Sequence, residues 1–261
     1  MLQRHAVTTL SAYLANSVMR ARISEHPFYH LQFDHVFPED IYAAMLREMP
    51  SNSDYRALPG RNNVNILADG SATRIKIDLF PEYIRNLPGP KRELWDLVGR
   101  ALCSDEVRDA FVERLAPALE RRFGAGYRKI GMFPIPILTR DVPKYRITPH
   151  TDTKWKGITV QFYLPNDDST KHIGTIFHQR LPNGKIAASI KMPFSPNTGY
   201  AFAVGTDTWH SADPVGPEVK TRDSILHTYF VDAGLYRMVR NRGRRVGNFL
   251  ANEMRTLLRR R

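Results

Sequence analysis

The residues of this chain able to do chemistry gather between Tyr145 and Ser224. The run Tyr145-Arg146-Ile147-Thr148-Pro149-His150-Thr151-Asp152 places an imidazole and a carboxylate two residues apart. Alternate residues of a strand project to one face. His150 and Asp152 therefore offer two thirds of the two-histidine, one-carboxylate set that holds non-haem iron(II). The pair alone decides little, since nine histidines and sixteen aspartates in 261 residues give about half a His-x-Asp by chance. The candidate third ligand stands 58 residues after Asp152. There Gly199–Val204 reads as an apolar strand, and Gly205-Thr206-Asp207-Thr208-Trp209 leads to His210 at the start of the next. Twelve residues beyond, Arg222-Asp223-Ser224 opens a strand running through Phe230, with Arg222 and Ser224 on one face. An arginine inside a barrel demands an anion, because an unpaired buried charge is very costly. A dicarboxylic acid chelating the metal would present its far carboxylate to that planar fork.

These residues need a scaffold of short strands, and the second half of the chain supplies one. From Tyr127 to Asp232, β-type runs over 127–139, 144–151, 157–164, 174–179, 185–192, 199–204, 209–213 and 222–231 alternate with turn residues. About eight short strands in roughly 105 residues indicate a jelly roll or barrel. The first 126 residues read differently. A helix is expected over 6–22, with Ala6, Leu10, Leu14, Val18 and Met19 as its apolar positions. A strand follows over Phe28–Phe33, then a helix from Pro38 to Met49, with proline in its first turn. Residues 50–62 read as loop and Thr73–Phe80 as a strand. Helices are expected near 90–102 and over 105–123, the second with Val107, Phe111, Leu115 and Leu119 at helical spacing. Helix returns from about 234, where Val246, Phe249, Leu250, Met254, Leu257 and Leu258 form a stripe. The expectation is one domain over 1–261. It comprises a lead-in over 1–126, a β core over 127–232 and a basic helical tail over 233–261.

The order His-x-Asp, distal His, then Arg-x-Ser resembles the Fe(II)/2-oxoglutarate-dependent dioxygenase superfamily in its prolyl-4-hydroxylase-like branch. The likeness is clearest from about Tyr145 to Phe230 and extends weakly to "FDHVFPEDIYAAMLREMP" near the N-terminus. It implies an α+β fold with a mainly β core, a double-stranded β-helix (jelly roll) flanked by N-terminal and C-terminal helices. It implies iron(II) held by His150, Asp152 and His210, with 2-oxoglutarate and O₂ as cosubstrates and ascorbate as a stimulant. Arg222 would clamp the distal carboxylate of 2-oxoglutarate, assisted by Ser224. Tyr163, in "TVQFYLPND", stands where this branch has a strand tyrosine reaching the same carboxylate. Strand parity puts Thr159 and Gln161 on the Tyr163 face, lining the pocket. Tyr145 is a further cosubstrate candidate; its parity is wrong relative to His150, but a bulge at Pro149 would correct it. The implied reaction is oxidative decarboxylation of 2-oxoglutarate coupled to hydroxylation of a small-molecule substrate, an amino acid or biosynthetic intermediate. Hydroxylation of a protein side chain and a non-catalytic jelly-roll binding module stay open.

The remaining signals are blander. Cys103, the single cysteine, excludes an intramolecular disulfide and a cysteine-based zinc or iron–sulfur site within one chain, which suits a reducing, cytoplasmic setting. No apolar run approaches the roughly 20 residues of a membrane span. The acid-free first 24 residues suit a packing helix better than a targeting peptide. The net charge of +12 is uneven, because residues 237–261 carry nine arginines against Glu253 alone. A mildly basic body argues against specific nucleic-acid binding. The tail stripe is expected to pack on the body, with contact to an anionic surface as the alternative. His172, His178 and His227 read as surface or satisfied histidines. Lys154, Trp155 and Lys156 read as a rim loop.

Overall fold

The structure, a computed structural model, describes residues 2–60 and 63–231. The lead-in contains α1 (Leu2–Arg20), β1 (Arg22–Ser24), β2 (His30–Phe33), α2 (Glu39–Arg47), β3 (Arg56–Ala57) and β4 (Arg74–Asp78). Four helices follow: α3 (Pro81–Ile84), α4 (Gly89–Leu102), α5 (Asp105–Arg114) and α6 (Ala116–Phe123). The β half then runs through β5 (Met132–Asp141), β6 (Ile147–His150), β7 (Lys156–Tyr163) and β8 (Thr175–Arg180). It closes with β9 (Ile186–Met192), β10 (Gly199–Ala203), β11 (His210–Ala212) and β12 (Arg222–Val231). The expected helices beyond 233 and the stripe from Val246 to Leu258 lie outside the described residues.

Pairing is antiparallel throughout these strands and sorts them into two sheets. One has the order β1-β2-β10-β7-β12-β5-β4-β3, the other β6-β11-β8-β9. From β5 onward the chain crosses back and forth between them, which is the winding of a double-stranded β-helix. The lead-in strands β1 to β4 widen the larger sheet at both edges.

Side-chain alternation then decides the layers. On β7, Ile158, Val160 and Phe162 face a helical layer with Trp95, Phe111 and Leu119. Tyr163 on the same strand joins a second cluster between the sheets, with Tyr200, Phe177 and Phe202. Both faces of β7 are therefore buried, and each fully buried Phe or Leu contributes about 2–3 kcal/mol. Helix α1 packs on α4 and α5. Its Leu10, Leu14 and Val18 are buried as the spacing predicts, whereas Ala6 and Met19 lie on its exposed side.

Two elements depart from the pattern for identifiable reasons. The helix expected over 105–123 breaks at Leu115, because Pro117 in the first turn of α6 has no N–H and would clash with the carbonyl four residues earlier. Ser104 caps α5, accepting a hydrogen bond from the Val107 amide at 3.3 Å. The strand expected from Tyr127 starts only at Met132, after a single 3₁₀ turn over Tyr127–Lys129. Pro134 and Pro136 are tolerated in β5 because β4 pairs only with the 137–141 half.

His227 corrects the sequence reading. It is neither on the surface nor satisfied: β12 turns it toward the helical layer, fully buried beside Phe111 and 4.5 Å from the Tyr229 ring. Neither ring nitrogen meets a hydrogen-bond partner among the described residues. Burial pushes its pKa from 6.5 down to about 3. The unfolded chain therefore binds this proton more readily than the folded one. Stability is complete above about pH 6.5 and is lost as pH falls toward the folded value. Between pH 7 and pH 5 the loss from this one group is about 2 kcal/mol. Urea unfolding of wild type and His227→Leu at both pH values checks this; the variant should gain that much relative to wild type on acidification, and parallel curves would refute it.

Candidate metal centre

His150 ends β6 and His210 opens β11, and the antiparallel register sets them directly opposite each other. Their ring centroids lie 4.4 Å apart. Each Nδ1 donates to a backbone carbonyl two residues upstream, Thr148 O at 2.9 Å and Thr208 O at 3.0 Å. A carbonyl only accepts, so both protons sit on Nδ1 and each Nε2 presents its lone pair. Asp152, two residues past β6, brings Oδ2 to 4.0 Å from His210 Nε2. One ligand atom from each of His150, Asp152 and His210 lies within 4.8 Å of the others. That is close to the spread of about 4.2 Å or less which a single cation with bonds of about 2.1 Å imposes on its ligands.

Electrostatics prepare Asp152 and His210 for that role. Burial alone would raise the Asp152 pKa. Lys156 Nζ at 2.6 Å, the nearby His210 and the Thr159 hydroxyl at 2.6 Å outweigh it and hold the carboxyl below its usual range. Burial pushes His210 down to about 4, against the opposing pull of Asp152. Carboxylate and neutral imidazole are the forms that bind metal.

A cavity of about 120 Å³ connects this trio with Arg222. Arg222 is fully buried. Its Nη2 lies 3.4 Å from Thr175 Oγ1, and its Nη1 lies 3.6 Å from Asp141 Oδ2. Nε and Nη1 make no hydrogen bond among the described residues, and neither does the hydroxyl of Tyr145, which lines the same cavity. Burial pushes Tyr145 up to about 12, so its proton stays on. Unused donors on a buried guanidinium and a buried phenol fit an anion bound between them.

The other candidates fall around this cavity in distinct places. Thr159 and Gln161 line it. Thr159 serves Asp152, while Gln161 donates to Ser224 Oγ at 2.9 Å and accepts from the Tyr200 hydroxyl at 2.7 Å. Ser224 stands behind Gln161, bonded also to Thr139 Oγ1 at 2.9 Å. The Tyr163 hydroxyl donates to Thr175 Oγ1 at 2.8 Å, and its ring lies 5.8 Å from the Arg222 guanidinium carbon. Tyr145 reaches the cavity through a bulge. Between the pairs Ile147–Ala212 and His150–His210, β6 carries one residue more than β11, and this stretch includes Pro149.

Three residues of the site escaped the sequence. Arg74 on β4 and Asp141 on β5 form a two-pronged ion pair at 2.5 and 2.8 Å. Lys156, grouped by sequence with a rim loop, opens β7 and turns inward onto Asp152, whereas Lys154 and Trp155 are exposed as expected. The spacing of Asp152 and Lys156 was visible, but no motif marks it. The Arg74–Asp141 pair joins residues 67 apart and requires the register. His172 is largely exposed, and His178 is buried with Nε2 on Ser211 Oγ at 2.8 Å.

A second, open cleft of about 480 Å³ adjoins Asp152. Its walls are Thr151–Lys154 around Asp152 and Ala203–Thr208 ahead of His210, together with Arg121 and Arg122 of α6. Arg122 bonds the carbonyls of Lys154 at 2.6 Å, Lys156 at 2.7 Å and Val204. It thereby ties α6 to both loops.

Removing a candidate ligand and removing its support should separate in size. His210→Ala should abolish measurable Fe(II) binding. Thr159→Val, which strips one hydrogen bond from Asp152, should weaken it about ten-fold, the low end for an outer partner of a ligand. An anaerobic Fe(II) titration decides; wild-type affinity in His210→Ala would dissolve the trio.

No protein-family model and no curated protein sequence matches the chain. Solved structures do resemble it. A prolyl-4-hydroxylase from Pseudomonas putida is 15% identical, covers 84% of this chain and 98% of its own, and superposes with a TM-score of 0.50. A prolyl hydroxylase from Trichoplax adhaerens, solved with a peptide fragment of the hypoxia inducible factor oxygen degradation domain, is 12% identical. It covers 88% of this chain and 93% of its own, also with a TM-score of 0.50. At these identities the likeness is one of fold: the chain has the double-stranded β-helix of prolyl hydroxylases.

Proposed function

We propose that the chain is an Fe(II)- and 2-oxoglutarate-dependent dioxygenase that hydroxylates a C–H bond of a small molecule, such as an amino acid or biosynthetic intermediate. One observation carries this reading. A His/Asp/His set with both Nε2 lone pairs exposed and a buried arginine with uncommitted donors line a single cavity. Bound together, iron, 2-oxoglutarate and O₂ supply the oxidising power, yielding succinate and CO₂ alongside hydroxylated product.

The protein's part is placement. His150, Asp152 and His210 hold the iron, and their hydrogen bonds to Thr148, Thr208 and Thr159 fix ring and carboxylate orientation. Arg222 takes the far carboxylate of 2-oxoglutarate as a bidentate pair, with the Tyr145 hydroxyl as a further donor. Tyr163 and Ser224 support that clamp through Thr175 and Gln161. The substrate enters by the open cleft beside Asp152, whose roughly 480 Å³ is the size of a small-molecule site. Arg121 and Lys154 at its wall suit a substrate bearing negative charge.

Succinate release from 2-oxoglutarate, measured with Fe(II) and ascorbate across a metabolite panel, tests the activity; no turnover above a metal-free control would refute it. The clamp is tested by titrating 2-oxoglutarate into Fe(II)-loaded protein and reading the metal-to-ligand charge-transfer band. Arg222→Ala should lose about 2–5 kcal/mol, roughly thirty- to several-thousand-fold in affinity. Arg222→Lys should lose less, because it keeps the charge without the fork. Iron binding should survive both changes. Wild-type 2-oxoglutarate affinity in Arg222→Ala would remove this strand from the site.

A further inference from the structure

Arg222 does not face the cavity alone. Arg74 on β4, Asp141 on β5 and Arg222 on β12 are direct cross-strand partners, so the three form one rung across adjacent strands. Asp141 sits in the middle and is fully buried. The backbone offers its carboxylate to either neighbour, since directly opposed residues on both sides lie about 4.5–5.5 Å away. The side chains settle the choice. Arg74 takes both oxygens, with Nε on Oδ1 at 2.5 Å and Nη2 on Oδ2 at 2.8 Å. Arg222 is left 3.6 Å away at Nη1, too far for a hydrogen bond. The Arg74 guanidinium also lies 4.3 Å from the Tyr145 ring centroid, which braces its plane.

This arrangement has an electrostatic consequence. A buried carboxylate must be paired, and a buried arginine beside a free carboxylate would pair with it. Were Arg74 missing, Asp141 would have Arg222 as its near cation on the rung, and the Nε and Nη1 donors would close onto it. With Arg74 present, two cations share one anion, and the rung keeps one positive charge in hand for one carboxylate of a ligand. Resting on the dioxygenase reading above, we propose that Arg74 is a positioning residue for 2-oxoglutarate. It sequesters Asp141 and so keeps Arg222 available to the distal carboxylate.

The proposal makes a claim that a direct contact or a merely structural role does not: deleting the carboxylate should cure the loss of the arginine. The experiment titrates 2-oxoglutarate into Fe(II)-loaded wild type, Arg74→Met, Asp141→Asn and the double variant under anaerobic conditions. The charge-transfer band gives the 2-oxoglutarate affinity, and a separate Fe(II) titration and thermal melt are run on each protein. Arg74→Met should bind 2-oxoglutarate about ten-fold or more weakly, with Fe(II) affinity unchanged. Asp141→Asn should bind it as tightly as wild type or more tightly. The double variant should return to within about three-fold of wild type. The proposal is overturned if Arg74→Met binds normally, if the double variant stays as weak as Arg74→Met, or if Asp141→Asn alone loses affinity. Should Arg74→Met fail to fold, the Asp141→Asn and double-variant affinities still decide. Absence of the 2-oxoglutarate band in wild type would overturn the dioxygenase reading and this proposal with it. Normal binding by Arg74→Met beside loss in Arg222→Ala would overturn this proposal alone.

Discussion

A positive charge inside a barrel has to be answered, and the inner face of this protein is organised around that requirement. Arg222 is fully buried, with aromatic rings of Tyr163 and Phe194 within 6 Å of its guanidinium carbon. Such surroundings strengthen every electrostatic interaction and punish any donor left over. The neighbouring positions answer in kind. Asp141 lies on the same rung, Thr175 meets Nη2, and Thr139, Ser224, Gln161 and Tyr200 form a continuous hydrogen-bonded chain along the next strands. The result is a polar stripe through an otherwise aromatic interior, beside the cavity that Arg222 shares with His150, Asp152 and His210.

The stripe exists because each central strand has a polar and an apolar side, and both are covered. On β7 the apolar side packs under helices and the polar side supplies Thr159 and Gln161. On β12 the inward side supplies Arg222 and Ser224, while Ile225 and Tyr229 go to the helical layer. His227 shares that outward side and bears the cost of it, an imidazole among apolar neighbours held neutral by burial. The two sheets thus have different partners: one closes the chemistry, and the helices close the back of the larger sheet.

Asp152 joins two spaces. It borders the narrow cavity that ends at Arg222 and the wider cleft that opens outward. Under the proposed function, the narrow cavity would take the cosubstrate and the wider cleft the substrate, so the two would not compete for room. Arg122 matters to this geometry although it touches neither trio histidine. By bonding carbonyls from both loops it fixes the cleft walls relative to the His/Asp/His trio.

The local pattern of the chain determined much of this. Short β-type runs broken by turn residues placed the strands of the β half, and the spacing of His150, Asp152, His210 and Arg222 marked four residues that converge on one cavity. Parity put Thr159 and Gln161 in the cavity wall, since both follow from the position of Tyr163 on one strand. What lay beyond it was every relation between strands distant in sequence. Arg74, Asp141 and Arg222 carry no motif; they form a rung only because β4, β5 and β12 pair in one particular register. The odd spacing of Tyr145 from His150 is repaired by an extra residue in β6 that is defined only by its pairing with β11. His227 looked ordinary until the helical layer covered it. Sequence periodicity fixes which side of a strand a residue takes, whereas the partner it meets there is set by pairing and packing, which only the folded chain decides.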